Sequence, residues 1–198
     1  MEDSKKISVS FILLLVVLAF ALNYRAQLLG LHRLHMDESL YSAYAVRMVH
    51  HGDLSLNGGL QVDKPPLYFY SIALSFLVNG ISENSARIPN IIFSLITIFF
   101  IYRLAILVFR NAAAAVMSAF FLSLSSYYIL FSVSAFQDVS MTAFFIISLC
   151  CAAEGKHGRS AVFYGLSLAC KPATLFMLPL YAVFNIFFAP EYKANIKK

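Results

Sequence analysis

The chain has 198 residues, 60% of them hydrophobic, and its charged fraction of 13% is about half the soluble norm of about 25%. It carries 19 Phe and 11 Tyr but no Trp, a net charge of +5 and a mean hydropathy of +0.75. A soluble domain of this length could not hide so much apolar surface, and basic residues scattered at segment ends exclude a nucleic-acid partner.

Ile7 to about Leu29 is the first predicted span, long enough for the ~20 residues that cross a bilayer. Lys5 and Lys6 before it place its start in the cytoplasm. Ala19-Phe20-Ala21 resembles a small-x-small cleavage site, but apolar residues continue through Leu28 and Leu29, which favours a retained span. Leu31 to Lys64 is too polar to cross. Within it Leu40, Tyr41, Tyr44, Ala45, Met48 and Val49 recur at helical spacing and predict an amphipathic helix on the membrane surface. Asp37 is its natural N-cap and Gly52 its stop. Leu67 to Ile81 is apolar but short, which suits a half-inserted segment. Ile88–Phe109, Ala112–Phe131 and Val139–Ala153 read as further spans, and Ala161–Phe188 as a last stretch interrupted at Lys171-Pro172. Cys150, Cys151 and Cys170 lie inside apolar segments without Cys-x-x-Cys spacing and read as small buried hydrophobes.

These elements predict an all-α fold: a polytopic membrane helix bundle of about six segments with a long first extracytoplasmic loop. One domain covers 1–198, with the first span at 7–29, the loop at 30–87 and the remaining spans at 88–188. Charge sets the topology. If Leu67–Ile81 crossed fully, Arg103, Arg110, Lys156, His157 and Arg159 would lie outside, against the positive-inside rule. If it dips in and returns, those residues are cytoplasmic and Gln137 and Asp138 are outer. Lys64, Arg87 and Lys171 are then the basic residues that break the rule, and an anionic ligand would account for them. An ionisable group costs roughly 3 kcal/mol at the bilayer centre, so Asp37, Glu38, Asp63, Lys64, Arg87 and Asp138, gathered in short gaps between apolar runs, mark loops or function.

Met36-Asp37-Glu38-Ser39-Leu40-Tyr41, His51-Gly52-Asp53, Asp63-Lys64-Pro65-Pro66-Leu67-Tyr68 and Ser85-Ala86-Arg87-Ile88-Pro89 follow one another in order. That ordered set resembles the GT-C superfamily, and within it dolichyl-phosphate-mannose protein mannosyltransferase-like and lipid A aminoarabinose transferase-like enzymes. Gln137-Asp138 and Cys170-Lys171-Pro172 look like further landmarks of that family. Single pieces such as Lys-Pro-Pro are weak signals; the ordered set is strong. Relatives of this kind are commonly more than twice as long, so the resemblance implies that the chain corresponds to the family's front part, with its C-terminal part absent.

The resemblance implies a hexosyl- or pentosyltransferase that moves a sugar from a polyprenyl-phosphate donor to a lipid, glycan or protein acceptor. The enzyme would be a multi-pass protein of the plasma (inner) membrane, N-terminus cytoplasmic and active site extracytoplasmic. The leaving group is already an anionic phosphate, so the chemistry needs one base for the acceptor's proton and cations for the phosphate. By resemblance Asp37 is that base, Glu38 assists or binds a hydroxyl, and Asp138 orients hydroxyls. Lys64 and Arg87 hold the phosphate, Lys171 reaches the anion, and Tyr41 joins them in binding substrate. Each has a plainer reading on the residues alone: helix caps for Asp37 and Asp138, a favourable charge at a helix start for Glu38, snorkelling to headgroups for Lys64 and Arg87. A divalent metal is possible but not indicated, since adjacent His50 and His51 beside Asp53 lack an i, i+4 partner. Two further readings are an accessory membrane protein that binds the lipid carrier without turnover, and a transporter, which would carry charges at mid-span.

Overall fold

The computed structural model describes residues 2–54 and 64–188, the side chains of residues 2–8 excepted. Within that range the chain is a helix bundle: α1 (Glu2–Leu28), α2 (Met36–His51), α3 (Leu67–Asn79), α4 (Glu83–Phe109), α5 (Ala112–Leu124), α6 (Ser126–Ser132), α7 (Gln137–Ala153), α8 (His157–Cys170), a 3-10 turn (Pro172–Met177) and α9 (Leu178–Phe187). Val9–Leu28 of α1 and the whole of α4 are long and apolar enough to cross a membrane. A third crossing exists if α5 and α6, bent by 64° at Ser125, serve as one broken span. Leu67–Asn79, Gln137–Ala153 and Pro172–Phe187 are shorter apolar segments. The all-α membrane bundle anticipated above is what forms, and the chain is an integral membrane protein.

Side-chain bonds define the directions of the passes. Asn90, near the start of α4, donates to the carbonyl of Phe136 at the start of α7 (2.7 Å). At their far ends the Cys150 thiol donates to Phe100 O (3.3 Å), and Arg103 pairs with Glu154. So α4 and α7 run parallel, and α5–α6 is the return between them. α8 comes back along α7, with Ser167 Oγ on Met141 O (2.8 Å), and α9 reverses again, placing Asn185 Oδ1 3.0 Å from His157 Nδ1. Ala21, Ala115 and Ala119 are fully buried where α1, α4 and α5 meet, the small-residue contact that lets membrane helices approach closely.

Two sequence features receive specific local answers. Pro89 lies inside α4 and has no N–H to give the carbonyl of Ser85, four residues back. The Ser75 hydroxyl of α3 donates to that carbonyl instead (2.6 Å). Arg25, fully buried in α1, likewise serves the α5–α6 break: its Nη1 donates to Ser123 O (3.5 Å) and its Nε to Ser132 Oγ (2.9 Å).

Three expectations change. The N-cap of α2 is His35, not Asp37: His35 Nδ1 accepts the Asp37 N–H (3.3 Å) and Glu38 reaches back to the His35 N–H (2.8 Å), a capping box with histidine as the cap. Gly52, with φ +63°, does end the helix as expected. α2 does not spend its apolar face on lipid. Tyr41, Tyr44, Ala45 and Met48 are buried against Tyr68, Phe69, Ile72 and Phe76 of α3, forming a separate core over one end of the bundle. Asp138 is not a cap either, because α7 starts from Phe136 and places it in the first turn.

Candidate active site

The α2–α3 layer and the starts of α4 and α7 converge on one end of the bundle. Arg103, Glu154 and Lys156 sit at the opposite end, where Glu154 bonds both cations and the Lys156 ammonium leads in holding its carboxyl below the usual range.

At the first end Glu38 and Arg87 form a buried ion pair, each about 3–4% exposed in its side chain, with Arg87 Nε 3.2 Å from Glu38 Oε1. Both carboxylate oxygens are filled. Oε1 also accepts the Ala135 N–H, and Oε2 accepts the His35 N–H. Arg87 Nη1 donates to His32 O (2.8 Å). One pair therefore ties together the α1–α2 loop, the first turn of α2, the start of α4 and the α6–α7 turn. The surroundings complete the hydrogen bonding that a buried pair requires.

A second group is more open. Lys171, between α8 and the 3-10 turn, donates to Asp138 Oδ1 at 2.7 Å, and each side chain is about a third exposed. Lys64 Nζ stands 5.2 Å from the centroid of the Tyr41 ring. Tyr41 also lies within electrostatic reach of Asp37 and Lys171. Burial pushes its phenol up, and Lys64 only partly offsets this, so the hydroxyl keeps its proton and remains a donor. Asp37 is half-buried one turn before Tyr41, a carboxylate freed from capping duty. Beneath them the hydroxyl of Tyr68, 1% exposed, has no hydrogen-bond partner among the described residues. The chain thus brings Asp37, Tyr41, Lys64, Asp138 and Lys171 to one region, and sets Glu38 and Arg87 beside it as an internally satisfied pair. Asp63 lies outside the described residues.

Two of the three cations that break the positive-inside rule already have carboxylates within the protein, Arg87 with Glu38 and Lys171 with Asp138. An external anion is not the only account of their position. Sequence reasoning missed Arg25 and Asn90. Arg25 is a lone arginine in an apolar run, which is itself the warning sign. Asn90 follows Pro89, and its amide donates to Phe131, Ser134 and Phe136 carbonyls, holding the α6–α7 turn that supplies Ala135 N–H to Glu38. His50 and His51 are exposed, and Asp53 pairs with Arg47 (2.7 Å). Among the described residues no three His, Cys, Asp or Glu side chains surround a common point suited to a metal.

Carboxylates and cations thus gather at one end of an integral membrane helix bundle. The family model described as dolichyl-phosphate-mannose-protein mannosyltransferase matches residues 63–198, the greater part of the chain, and the chain belongs to that family. Lys64, Arg87, Asp138 and Lys171 fall within the match; Asp37, Glu38 and Tyr41 precede it. A protein of Aquifex aeolicus (strain VF5), described as uncharacterized, is 28% identical over 116 residues, which cover 57% of this chain and 23% of that protein. The chain thus spans about a quarter of that relative's length. No solved structure matches it.

Proposed function

We propose that this chain carries the catalytic end of a GT-C-type glycosyltransferase, moving a sugar from a polyprenyl phosphate to an acceptor at the extracytoplasmic face of the plasma membrane. The observation that carries this reading is the Asp138–Lys171 pair, half-open and neighboured by Tyr41 and the first turn of α2. In this reading Asp37 takes the proton from the acceptor hydroxyl. The acceptor oxygen bonds to the anomeric carbon, and the bond from that carbon to the phosphate oxygen breaks with its electron pair left on the phosphate. Lys64 and Lys171 offset the growing charge. An arriving phosphate draws Lys171 from Asp138 and frees that carboxylate for sugar or acceptor hydroxyls. Glu38 and Arg87 act as positioning residues that hold the first turn of α2 in place.

Because His35 caps α2, Asp37→Asn changes the proposed base without touching the cap acceptor. In the full-length protein, with a labelled polyprenyl-phosphate donor in membranes, Asp37→Asn is expected to cut transfer by about 10²–10⁴, the usual range for loss of a general base, with donor binding retained. Near-normal transfer would remove Asp37 from the chemistry.

A further inference from the structure

We propose that Tyr68 is the standby partner of Asp138: when Lys171 turns away, the Tyr68 hydroxyl takes one oxygen of the freed carboxylate and fixes its direction. Tyr68 is then a positioning residue that acts through Asp138. The purpose of this exchange rests on the proposed transfer reaction, but its geometry does not.

A buried hydroxyl without a partner calls for a reason, because folded proteins bond nearly all such groups. Tyr68 is 1% exposed, and its hydroxyl has no hydrogen-bond partner among the described residues. The ring cannot swing out to find water. It sits in the first turn of α3, inside the core that α3 makes with α2, and meets the Tyr41 ring edge-on at 6.2 Å between centroids. α3 also packs on α8, whose last residue, Cys170, precedes Lys171. A phenylalanine would fill the same space without drying out a hydroxyl, so packing alone does not account for the tyrosine.

Glu38, Tyr41, Cys170 and Asp138 lie within electrostatic reach of the Tyr68 phenol. Glu38 is spent, since both its oxygens already accept bonds from Arg87 or from backbone N–H groups. Tyr41 is another phenol, with Lys64 over its ring, and the Cys170 thiol is a weak acceptor. Asp138 is left. Its position is fixed in the first turn of α7, but its partner Lys171 is an ammonium on a flexible stem, and both side chains are about a third exposed. Burial pushes the Tyr68 phenol well up, and the nearby carboxylates add to this, so at neutral pH the hydroxyl keeps its proton and stays a donor. A freed Asp138 has two oxygens. With one held by Tyr68, the other faces a hydroxyl of sugar or acceptor in a set direction.

The first test needs no substrate and is a double-mutant cycle on unfolding of the full-length protein in detergent. Tyr68→Phe alone should not lower the unfolding midpoint, because it discards a hydroxyl that makes no bond. Lys171→Met strips Asp138 of its cation, and with Tyr68 present the carboxylate has a donor to fall back on, so the loss should be small. In the Tyr68→Phe background the same substitution should cost clearly more. Additive shifts would overturn the exchange, and so would a lowered midpoint in Tyr68→Phe alone, which would mean that the hydroxyl is already bonded. The second test is transfer from a labelled polyprenyl-phosphate donor. Tyr68→Phe should lower kcat about tenfold, as loss of one charge-assisted hydrogen bond does, with KM for the donor unchanged. An unchanged kcat, or a raised KM with kcat held, would overturn the positioning role. The cycle stands whatever Asp37→Asn does to transfer, so the two readings fail separately.

Discussion

At the residue scale the Glu38–Arg87 pair has the most at stake. Both side chains are nearly inaccessible, so removing either charge strands the other in a low-dielectric interior. Breaking a buried pair typically costs about 3–5 kcal/mol, whereas replacing both members by apolar groups is often neutral. Glu38→Gln and Arg87→Met should therefore each lower the unfolding midpoint in detergent by several degrees, and the double variant should recover much of the loss. Additive losses would show that the two side chains are not coupled. The motif residues at this end were legible in the sequence, because carboxylates and cations stand out in a chain this apolar. Which of them pair internally was not legible. Glu38 finds Arg87 across 49 positions and Ala135 across 97, and no local pattern encodes either contact. Asp37 and Glu38 are adjacent, yet one is half-buried beside Tyr41 and the other is sealed in, a difference of one helical step.

At the element scale the bundle handles each interrupted helix by lending a side chain from a neighbour. Ser75 of α3 serves the carbonyl that Pro89 orphans in α4. An unsatisfied buried carbonyl costs about 1–3 kcal/mol, so Ser75→Ala should destabilise by that order. Pro89→Ala returns the missing N–H, and in that background Ser75→Ala should cost little; unfolding of the four proteins of this cycle checks it. An undiminished cost would mean that Ser75 matters for its packing and not for this bond. Element existence was readable from apolar runs and breakers: Gly52 ends α2, and Lys171-Pro172 splits the last stretch as expected. The start of α4 at Glu83 rather than Ile88 follows from Ser82, whose hydroxyl caps the Ser85 N–H. The break inside Ala112–Phe131 falls at Ser125, whose side chain caps α6, and Arg25 of α1 serves the groups on either side of it. A serine in an apolar run is too common to announce a bend.

For the whole molecule, the alternating passes put Glu83 and the proposed active site at one end and Arg159 at the other. We expect the first end to be extracytoplasmic. With the native cysteines replaced, single cysteines at Glu83 and Arg159, both exposed, would be probed in intact cells with an impermeant thiol reagent. Labelling at Glu83 and protection at Arg159 is the expected pattern, and the reverse would move the proposed chemistry to the cytoplasm.

The 64° bend between α5 and α6 also has a consequence for the surrounding lipid. At 1.5 Å per residue, the 13 residues of α5 rise about 20 Å and the 7 of α6 about 10 Å. Tilted by the bend, α6 adds only about 5 Å along the axis of α5, for a reach of about 25 Å against a hydrocarbon thickness of about 30 Å. If the pair crosses as one span, the mismatch is relieved by a dimple in the bilayer beside α6. The protein should then fold most stably in short-chain phosphatidylcholines and lose stability as acyl length grows, and a flat response across that series would rule the dimple out. Such thinning would draw headgroups toward the end of the bundle that holds Asp138 and Lys171, shortening the distance a lipid-borne phosphate must travel to reach them.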